Sequence, residues 1–309
     1  MTDNESPASG GTPRISVIIP VRDNQAGLDD CLDALARQTH PAGRTQIIVV
    51  DDGSDPPMKP RSGVAAHVLR VDHRGSYAAR NAGAAQADGD ILAFTDSDTI
   101  PSPGWLAAGA RALLAAPGTV IAGAVNVTIG DRPSGVEIFD QRHGFPQEFY
   151  ARHRNAGATA NLLVRRAEWD VVGPFDATLQ SGGDMEWGWR AAQAGIPVHF
   201  SPDVVVAHPA RRSLRELWRK NRRILAGRAE LRRRGVRRDG DRLSQLLRPQ
   251  LRHYWRSRRE LRGTATPLPW LRYVGAHVAN QVMTLLLALR HHQFEFAGGR
   301  LRTWSSVRR

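Results

Sequence analysis

The chain is poor in the residues and motifs that define several large protein classes. It has one cysteine, Cys31, which excludes an internal disulfide and a zinc site built from several cysteines. It has no G-x-G-x-x-G after its first apolar segment, no G-x-x-x-x-G-K-[ST] and no G-x-S-x-G. These absences argue against dinucleotide-dependent, P-loop and serine-hydrolase chemistry.

The first residues also lack an apolar core behind a basic start. Residues 1–13 (MTDNESPASGGTP) are polar and acidic, which is not the pattern of a signal peptide or a membrane anchor. We therefore expect a disordered leader here. A reducing compartment is compatible with the single cysteine.

Positive charge is abundant but is confined to one region. The chain carries a formal net charge of +13, yet residues 211–262 alone hold 20 Lys/Arg and 5 Asp/Glu, a net of +15. The remainder is nearly neutral, at −2. This asymmetry suggests chemistry in the front of the chain and an anionic partner behind, and we expect residues 211–309 to form a basic, mainly helical extension.

Short apolar segments in the first region alternate with stretches of helical periodicity. β-Branched runs at 14–20, 46–50 and 90–95 read as buried parallel strands, with helices at 26–38 and 76–86 between them. This alternation predicts an α/β fold with a Rossmann-like, mostly parallel sheet and flanking helices. Residues 130–154 show no clean period and are expected to be a loop.

Acidic residues follow two of these strands. Asp96 and Asp98 come directly after the 90–95 strand, and Asp51 and Asp52 follow the 46–50 strand. Ligands of open α/β sheets bind outside the carboxyl ends of the strands. Asp96-Ser97-Asp98 can hold Mg²⁺ or Mn²⁺ for a diphosphate, although an Asp-rich turn is the plainer interpretation of such a short pattern.

The segment 182–190 (GGDMEWGWR) joins glycines, two acids and two indoles. Asp184 or Glu186 can act as a general base for an acceptor hydroxyl, and Trp187 or Trp189 can stack on a sugar ring. The structural alternatives are a helix N-terminus, an ion pair between Glu186 and Arg190, and indoles in the core.

Taken in order, these motifs resemble glycosyltransferase family 2, an inverting family with the GT-A fold. The resemblance covers roughly residues 14–210. It rests on residues 17–24 (VIIPVRDN), 49–56 (VVDDGSDP), 78–83 (AARNAG), 95–98 (TDSD), Asn161, 172–176 (VGPFD), 182–190 and His208.

The resemblance implies a role for each matching position. Those implied to bind the nucleotide sugar are Pro20, Val21, Asp51, Asp52, Arg80, Asp96, Ser97 and Asn161. Asp98, with Asp96 and His208, would bind a divalent metal, Mg²⁺ or Mn²⁺. Asp184 would be the catalytic base, with Glu186 as the second choice. One departure stands out, because Gly183 occupies the position where the family usually carries an acid.

The basic segment 211–262 lies outside the resemblance. A helix rich in arginine with occasional tryptophan fits an anionic membrane surface, a solvated extension or, as the weakest of the three, nucleic acid. Residues 273–289 are too short and too polar for a confident membrane span. A membrane partner favours a lipid-linked or cell-envelope glycan as acceptor, and a peripheral place at the cytoplasmic face of the cell membrane.

Two other functions fit the residues less well. A nucleotidyltransferase can use a similar sheet and acidic site, but a basic glycine-rich loop is expected after its first strand, where this chain has 21–24 (VRDN). A non-catalytic nucleic-acid-binding protein would bind in a salt-dependent way through its arginines, independently of Asp98 and Asp184.

Overall fold

A computed structural model describes residues 11–61, 63–236, 268–290, 294–297 and 300–303. The strands are β1 (Ile15–Val21), β2 (Thr45–Asp52), β3 (His67–Val71), β4 (Ile91–Thr95), β5 (Ile100–Pro101), β6 (Val120–Thr128), β7 (Asn161–Arg165), β8 (Val198–Pro209), β9 (Phe294–Ala297) and β10 (Arg300–Thr303). The helices are α1 (Gln25–Ala36), α2 (Ser76–Ala85), α3 (Trp105–Ala115), α4 (Gly135–His143), α5 (Gln147–Arg154), α6 (Arg166–Val172), α7 (Gly183–Gln193), α8 (Leu214–Arg233) and α9 (Leu268–Arg290).

Eight strands form one mixed sheet in the order β3-β2-β1-β4-β7-β6-β8-β5. Strands β3, β2, β1 and β4 are mutually parallel, and β7 enters antiparallel between β4 and β6. Parallel strands connected by helices need apolar residues on both faces, which is why every residue of β1 and β4 is buried. The predicted α/β class, with its Rossmann-like sheet, is confirmed.

The sheet core is divided between its two faces. One face packs α1 and α3 around Leu28, Leu32 and Trp105, and the other packs α2 and α7 around Phe94 and Trp187. Both faces therefore hold the carboxyl ends of β1 and β4 in fixed positions, and those ends carry Pro20 and Asp96.

The expectation of a loop over residues 130–154 is wrong. Two helices, α4 and α5, occupy most of it. Ser134 caps α4 by accepting a hydrogen bond from the Glu137 amide, and the Glu137 side chain accepts one from the Ser134 amide. This capping box was visible as S-x-x-E in the sequence, but the polar surroundings hid the short helix behind it.

Helix α8 lies at the start of the predicted basic extension, and its N-cap Ser213 accepts a hydrogen bond from the Glu216 amide. Tyr273 and Ala276 of α9 pack with Val136 and Phe139 of α4 in a separate small core. No helix among the described residues combines the length and apolar character needed to cross a membrane. The predictions for residues 1–10 and 237–262 lie outside the described residues.

Candidate active site

A cleft of about 830 Å³ opens at the carboxyl ends of β1 and β4. One wall, which we call the sheet wall, comes from β1, β4, α2 and the start of α7. The opposite wall, the helical wall, comes from α4, α5, α8 and α9. Eight residues predicted for the site line this cleft, namely Pro20, Arg80, Asp96, Ser97, Asp98, Asp184, Trp189 and His208.

Asp96, Asp98 and His208 form a compact group in this cleft. Each offers one ligand atom, and these atoms lie within 4.8 Å of one another. His208 Nδ1 is 2.8 Å from the Pro209 carbonyl oxygen, which can only accept, so Nδ1 donates and the neutral ring presents the lone pair of Nε2. Two carboxylates and an imidazole nitrogen form a donor set that suits Mn²⁺ and accommodates Mg²⁺.

The charge balance at this group favours a cation. Burial raises the pKa of Asp98, and the neighbouring charge of Asp96 raises it further, while His208 and Arg211 oppose the shift. Asp98 Oδ1 is 3.5 Å from His208 Nε2. A bound divalent ion would stabilise both carboxylates in their charged form, so the residues present fit a metal.

Asp96 is held from two sides. Its backbone carbonyl accepts a hydrogen bond from the Thr99 hydroxyl at 2.8 Å, which fixes the turn after β4. Its carboxylate pairs with the buried guanidinium of Arg80 on α2. Arg80 in turn lies over the ring of Tyr77, with its Cζ 5.8 Å from the ring centroid.

Asp184 lies in the first turn of α7. Its Oδ1 accepts hydrogen bonds from the Tyr77 hydroxyl at 3.1 Å and from the Met185 amide at 2.9 Å. Burial raises the pKa of Asp184, and the hydrogen bonds from Met185 and Tyr77 and the charge of Arg80 offset part of this rise. A carboxylate with a raised pKa, set in a cleft, has the properties of a general base.

Tyr77 accounts for the glycine at position 183. A Cβ atom on Gly183 would lie 2.8 Å from the Tyr77 ring, closer than any side chain tolerates. Tyr77 thus occupies the space that an acid before Asp184 would need, and it donates a hydrogen bond to that same Asp184.

Two of the predicted site residues belong to the core instead. Trp187, expected to stack on an acceptor, is fully buried and packs against Trp169 and Phe175. Asn161, expected at the nucleotide sugar, is also fully buried. Its side-chain nitrogen donates to the Ala124 and Val204 carbonyls, and its side-chain oxygen accepts a hydrogen bond from the Trp105 indole. Neither side chain lines the cleft, and their contact with a ligand stays a prediction.

Glu186 has a structural role. Its carboxylate forms a two-point pair with Arg190, with N–O distances of 2.7 and 3.1 Å, and Arg190 also donates to the carbonyls of Val172 and Pro174. This network ties α7 to the segment after α6. Glu186 does not line the cleft, which leaves Asp184 as the candidate base.

Asp51 and Asp52 are buried at the end of β2 and hold neighbouring loops. Asp51 accepts from the amides of Ser54 and Met58 and from Arg70. Burial alone would raise the pKa of Asp51, but these hydrogen bonds and the charge of Arg70 outweigh it, and the pKa is lowered. Neither side chain, nor the buried Val21, lines the cleft, and their contact with a nucleotide stays a prediction.

Sequence reasoning missed the cluster that supports the helical wall. Asp140 of α4 is fully buried and pairs with Arg211 at 2.9 Å and Lys220 at 3.2 Å. Both cations lie over the ring of Phe145, and that ring packs on His208 with centroids 4.7 Å apart. No spacing in the sequence links these residues, since Asp140 is 71 and 80 positions from its partners.

The fold and this site are those of a glycosyltransferase. The model of glycosyl transferase family 2 matches residues 16–177, which is more than half of the chain. The chain belongs to glycosyltransferase family 2.

Relatives of known name agree with this assignment. Glycosyltransferase AglE of Haloferax volcanii is 35% identical over 71% of this chain and 74% of its own length. The pre-mycofactocin glycosyltransferase of Mycobacterium tuberculosis is 32% identical, and the match covers 72% of this chain but only 48% of that protein. This chain therefore corresponds to about half of that second relative.

A solved structure shares the fold. The mannosyltransferase PcManGT of Pyrobaculum calidifontis, solved with GDP-Man and Mn²⁺, superposes with a TM-score of 0.59. The match covers 91% of this chain and 88% of that one at 17% sequence identity. The predicted GT-A fold is confirmed.

Proposed function

We propose that this protein transfers a hexose from a nucleotide-diphosphate sugar to an acceptor hydroxyl, with inversion at the anomeric carbon and with the help of a divalent metal. The observation that carries the proposal is the placement of Asp184 in one cleft with Asp96, Asp98 and His208. A candidate base and a candidate diphosphate site thus face the same space.

The residues after β4 are proposed to bind the donor. A Mg²⁺ or Mn²⁺ ion held by Asp98, Asp96 and His208 would neutralise the charge that develops on the leaving diphosphate. Pro20 and Ser97 line this end of the cleft and are proposed to contact the nucleotide sugar. Arg80 pairs with Asp96 and fixes the orientation of that carboxylate.

The acceptor side belongs to Asp184. Its carboxylate takes the proton from the acceptor hydroxyl, whose oxygen forms a bond to the anomeric carbon. The bond from that carbon to the diphosphate oxygen breaks, and a nucleoside diphosphate leaves with the electron pair. A single displacement of this kind inverts the configuration. Trp189 lines the cleft near this end and is proposed to pack against the acceptor.

Three observations support the donor class. The relatives at 35% and 32% identity are both named glycosyltransferases. PcManGT was solved with GDP-Man and Mn²⁺, and the similarly folded GalNAc-T7 with UDP, GalNAc and Mn²⁺. Asp96, Asp98 and His208 provide ligands that fit the same ion here.

We extend the proposal to the place of the reaction. Residues 14–210 form the catalytic region, and the extension from residue 211 lies against an anionic membrane surface at the cytoplasmic face. On α9, four exposed apolar side chains share one helix face, namely Leu271, Val278, Val282 and Leu286. An apolar stripe beside an arginine-rich helix fits the interface of a bilayer with acidic lipids, and a lipid-linked or cell-envelope glycan fits as acceptor.

The proposed function is tested by ligand-induced thermal stabilisation. The protein is heated with UDP, GDP or dTDP, with and without Mn²⁺, beside Asp98→Asn and the exposed α1 control Asp33→Asn. We expect one nucleotide with Mn²⁺ to raise the Tm of the native protein and of the control but not of Asp98→Asn. If no nucleotide stabilises the folded native protein, the proposal is wrong.

The membrane part has its own measurement. The full chain is sedimented with phosphatidylcholine vesicles that contain or lack phosphatidylglycerol, at low and high salt. We expect binding only to the acidic vesicles, weakened by salt, and reduced when Val278 and Val282 are both replaced by Ser. Equal binding to neutral and acidic vesicles, or no binding at all, contradicts a membrane role.

A further inference from the structure

One face of α8 is turned into the cleft, and this face carries the cation Arg228. Leu217, Asn221, Ile224, Arg228 and Leu231 recur at alternating steps of four and three, so they lie on one side of the helix, and all five line the cleft. Arg228 is exposed there. In the described part of the chain the neighbouring acid, Glu230, pairs with Arg233 and Arg234.

This turn of α8 touches the chain just ahead of the candidate base. A Cβ atom on Gly227 would lie 2.3 Å from the Ser181 carbonyl oxygen, so only glycine permits the approach. One turn later, the Leu231 side chain comes within 3.1 Å of where a Cβ on Gly182 would be. Arg228 lies between these two contacts on α8 and lines the same cleft as Asp184, so we place it toward the end of the cleft where α7 begins.

The other end of α8 lies near Asp96, Asp98 and His208, the proposed metal-binding group. Lys220 donates to the Gly144 carbonyl at 3.3 Å and lies over Phe145, the ring that packs on His208. Lys220 and Arg228 are eight residues apart, which is about 12 Å along a helix. The helix thus spans the cleft from the donor end to the acceptor end, and Arg228 stands at the acceptor end.

Within the described residues, the acids of the cleft lining lie on one wall only, where Arg22 and Arg80 accompany them. These acids are Asp96, Asp98 and Asp184, and they are on the sheet wall. Among the residues that the structure describes, α8 contributes the cations Lys220, Arg223, Arg228 and Arg232 to the lining, and neither α8 nor α9 contributes an acid. A neutral sugar needs no such surface, whereas a phosphate group pairs with arginine through charge-assisted hydrogen bonds.

We infer that the acceptor is an anion that carries a phosphate or diphosphate group close to the reacting hydroxyl, and that Arg228 binds this group. The inference rests on the proposed function for the identity of Asp184 as base. The phosphate can belong to a lipid carrier or to a soluble sugar phosphate, since the same guanidinium chemistry recognises both.

Calorimetric titration tests the inference with two matched pairs of probes. Geranyl phosphate is compared with geraniol, and glucose 6-phosphate with glucose, each titrated into protein that holds Mn²⁺ and the nucleoside diphosphate it prefers. We expect one phosphate probe to bind at least about tenfold more tightly than its uncharged partner, because a hydrogen bond to a charged group contributes on that order. Which probe binds identifies the lipid or the soluble source.

Variants of α8 assign the effect to Arg228. Arg228→Gln should weaken the phosphate probe about tenfold, Arg228→Lys should retain part of the binding, and Arg222→Gln, an exposed change away from the cleft, should change nothing. Circular dichroism and Tm check that each variant folds.

Three results would overturn the inference. They are equal binding of charged and uncharged probes, unchanged probe binding in Arg228→Gln, and a loss of nucleoside diphosphate binding in Arg228→Gln that matches the loss of probe. The last would place Arg228 in the donor site. Failure of the proposed function itself is distinct, because the native protein would then bind no nucleoside diphosphate with Mn²⁺.

Discussion

The sheet wall and the helical wall of the cleft differ in both charge and construction. The sheet wall presents Asp96, Asp98 and Asp184, each placed at a strand end or in the first turn of a helix. The helical wall presents arginine and lysine from segments far apart in the sequence, held together by packing and by the buried Asp140. In the proposed function a cation and a leaving diphosphate bind at the first wall, and the charge of the second suits a different, anionic molecule.

This difference predicts which wall determines the acceptor specificity of the enzyme. The sheet wall is built from short local motifs, which are proposed to bind the donor. The helical wall depends on tertiary contacts, so its residues can change without disturbing the sheet. The walls should therefore respond differently to substitution, and four predictions follow from that expectation.

The largest effect is expected at Asp184. Asp184→Asn removes the proposed base, so kcat should fall about 10²- to 10⁴-fold, while binding of nucleoside diphosphate and Mn²⁺ stays as in the native protein. Transfer of labelled sugar measures the first and thermal stabilisation the second. Asp170→Asn, an exposed change on α6, is the control. Should nucleotide binding collapse together with turnover, Asp184 belongs to the donor site instead.

The next effect, on stability, is expected in the helical wall. Asp140→Asn leaves Arg211 and Lys220 buried without their carboxylate, which should cost about 3–5 kcal/mol of unfolding free energy. Lys220→Met keeps the pair with Arg211 and should cost about 1 kcal/mol or less, because burial already lowers the pKa of Lys220 to about 8. Urea denaturation measures the loss of unfolding free energy in each variant. Equal losses in the two variants would show that Asp140 does not stabilise both cations.

Acid should remove the stabilisation that the Asp140 ion pairs give to the helical wall of the native protein. Burial by itself would raise the pKa of Asp140, but Lys220 and Arg211 lower it on balance. The stabilisation is thus present above the ordinary carboxyl pKa and is lost as the pH falls through the lower folded value. Asp140→Asn should therefore lose less unfolding free energy than the native protein as the pH falls. Urea denaturation at a series of pH values measures this difference.

The smallest effect is expected at Tyr77. Its hydroxyl stabilises the charged form of Asp184, so Tyr77→Phe should raise the pKa of Asp184 further and move the acid limb of the kcat profile to higher pH. Well above that limb the loss in kcat should be about tenfold or less. Tyr150→Phe removes another hydroxyl from the same cleft and should leave the limb in place. An unshifted limb in Tyr77→Phe would mean that Asp184 is not the titrating base.

The sheet wall could be anticipated from the sequence because its residues follow apolar strands directly. Burial on both faces produces runs such as Val17–Pro20 and Ile91–Thr95, and the acids after β4 then share an edge with Pro20. His208 was only a weak candidate from the sequence, since a lone histidine before proline is usually structural, and the family resemblance strengthened it.

The helical wall could not be anticipated in the same way. Residues 130–154 looked irregular because α4 and α5 are short and polar outside their buried contacts with β6 and β8. The burial of Trp187 and Asn161 was not visible in the sequence, because residue type gives no measure of burial, and both satisfy their polar atoms inside the core. Pairs such as Asp140 with Arg211 exist only after the chain has folded.

The contact between Tyr77 and Gly183 restricts the order in which this enzyme could change. An acid introduced at position 183 would place its Cβ against the Tyr77 ring, so that substitution alone should disrupt α7. A smaller residue at position 77 would make room for it but would also remove a hydrogen bond to Asp184. Neither single step is neutral, so the two positions, far apart in sequence, are expected to be strongly epistatic. The form of the site with Tyr77 and Gly183 is therefore separated from the form with an acid at 183 by a barrier that only a paired substitution crosses.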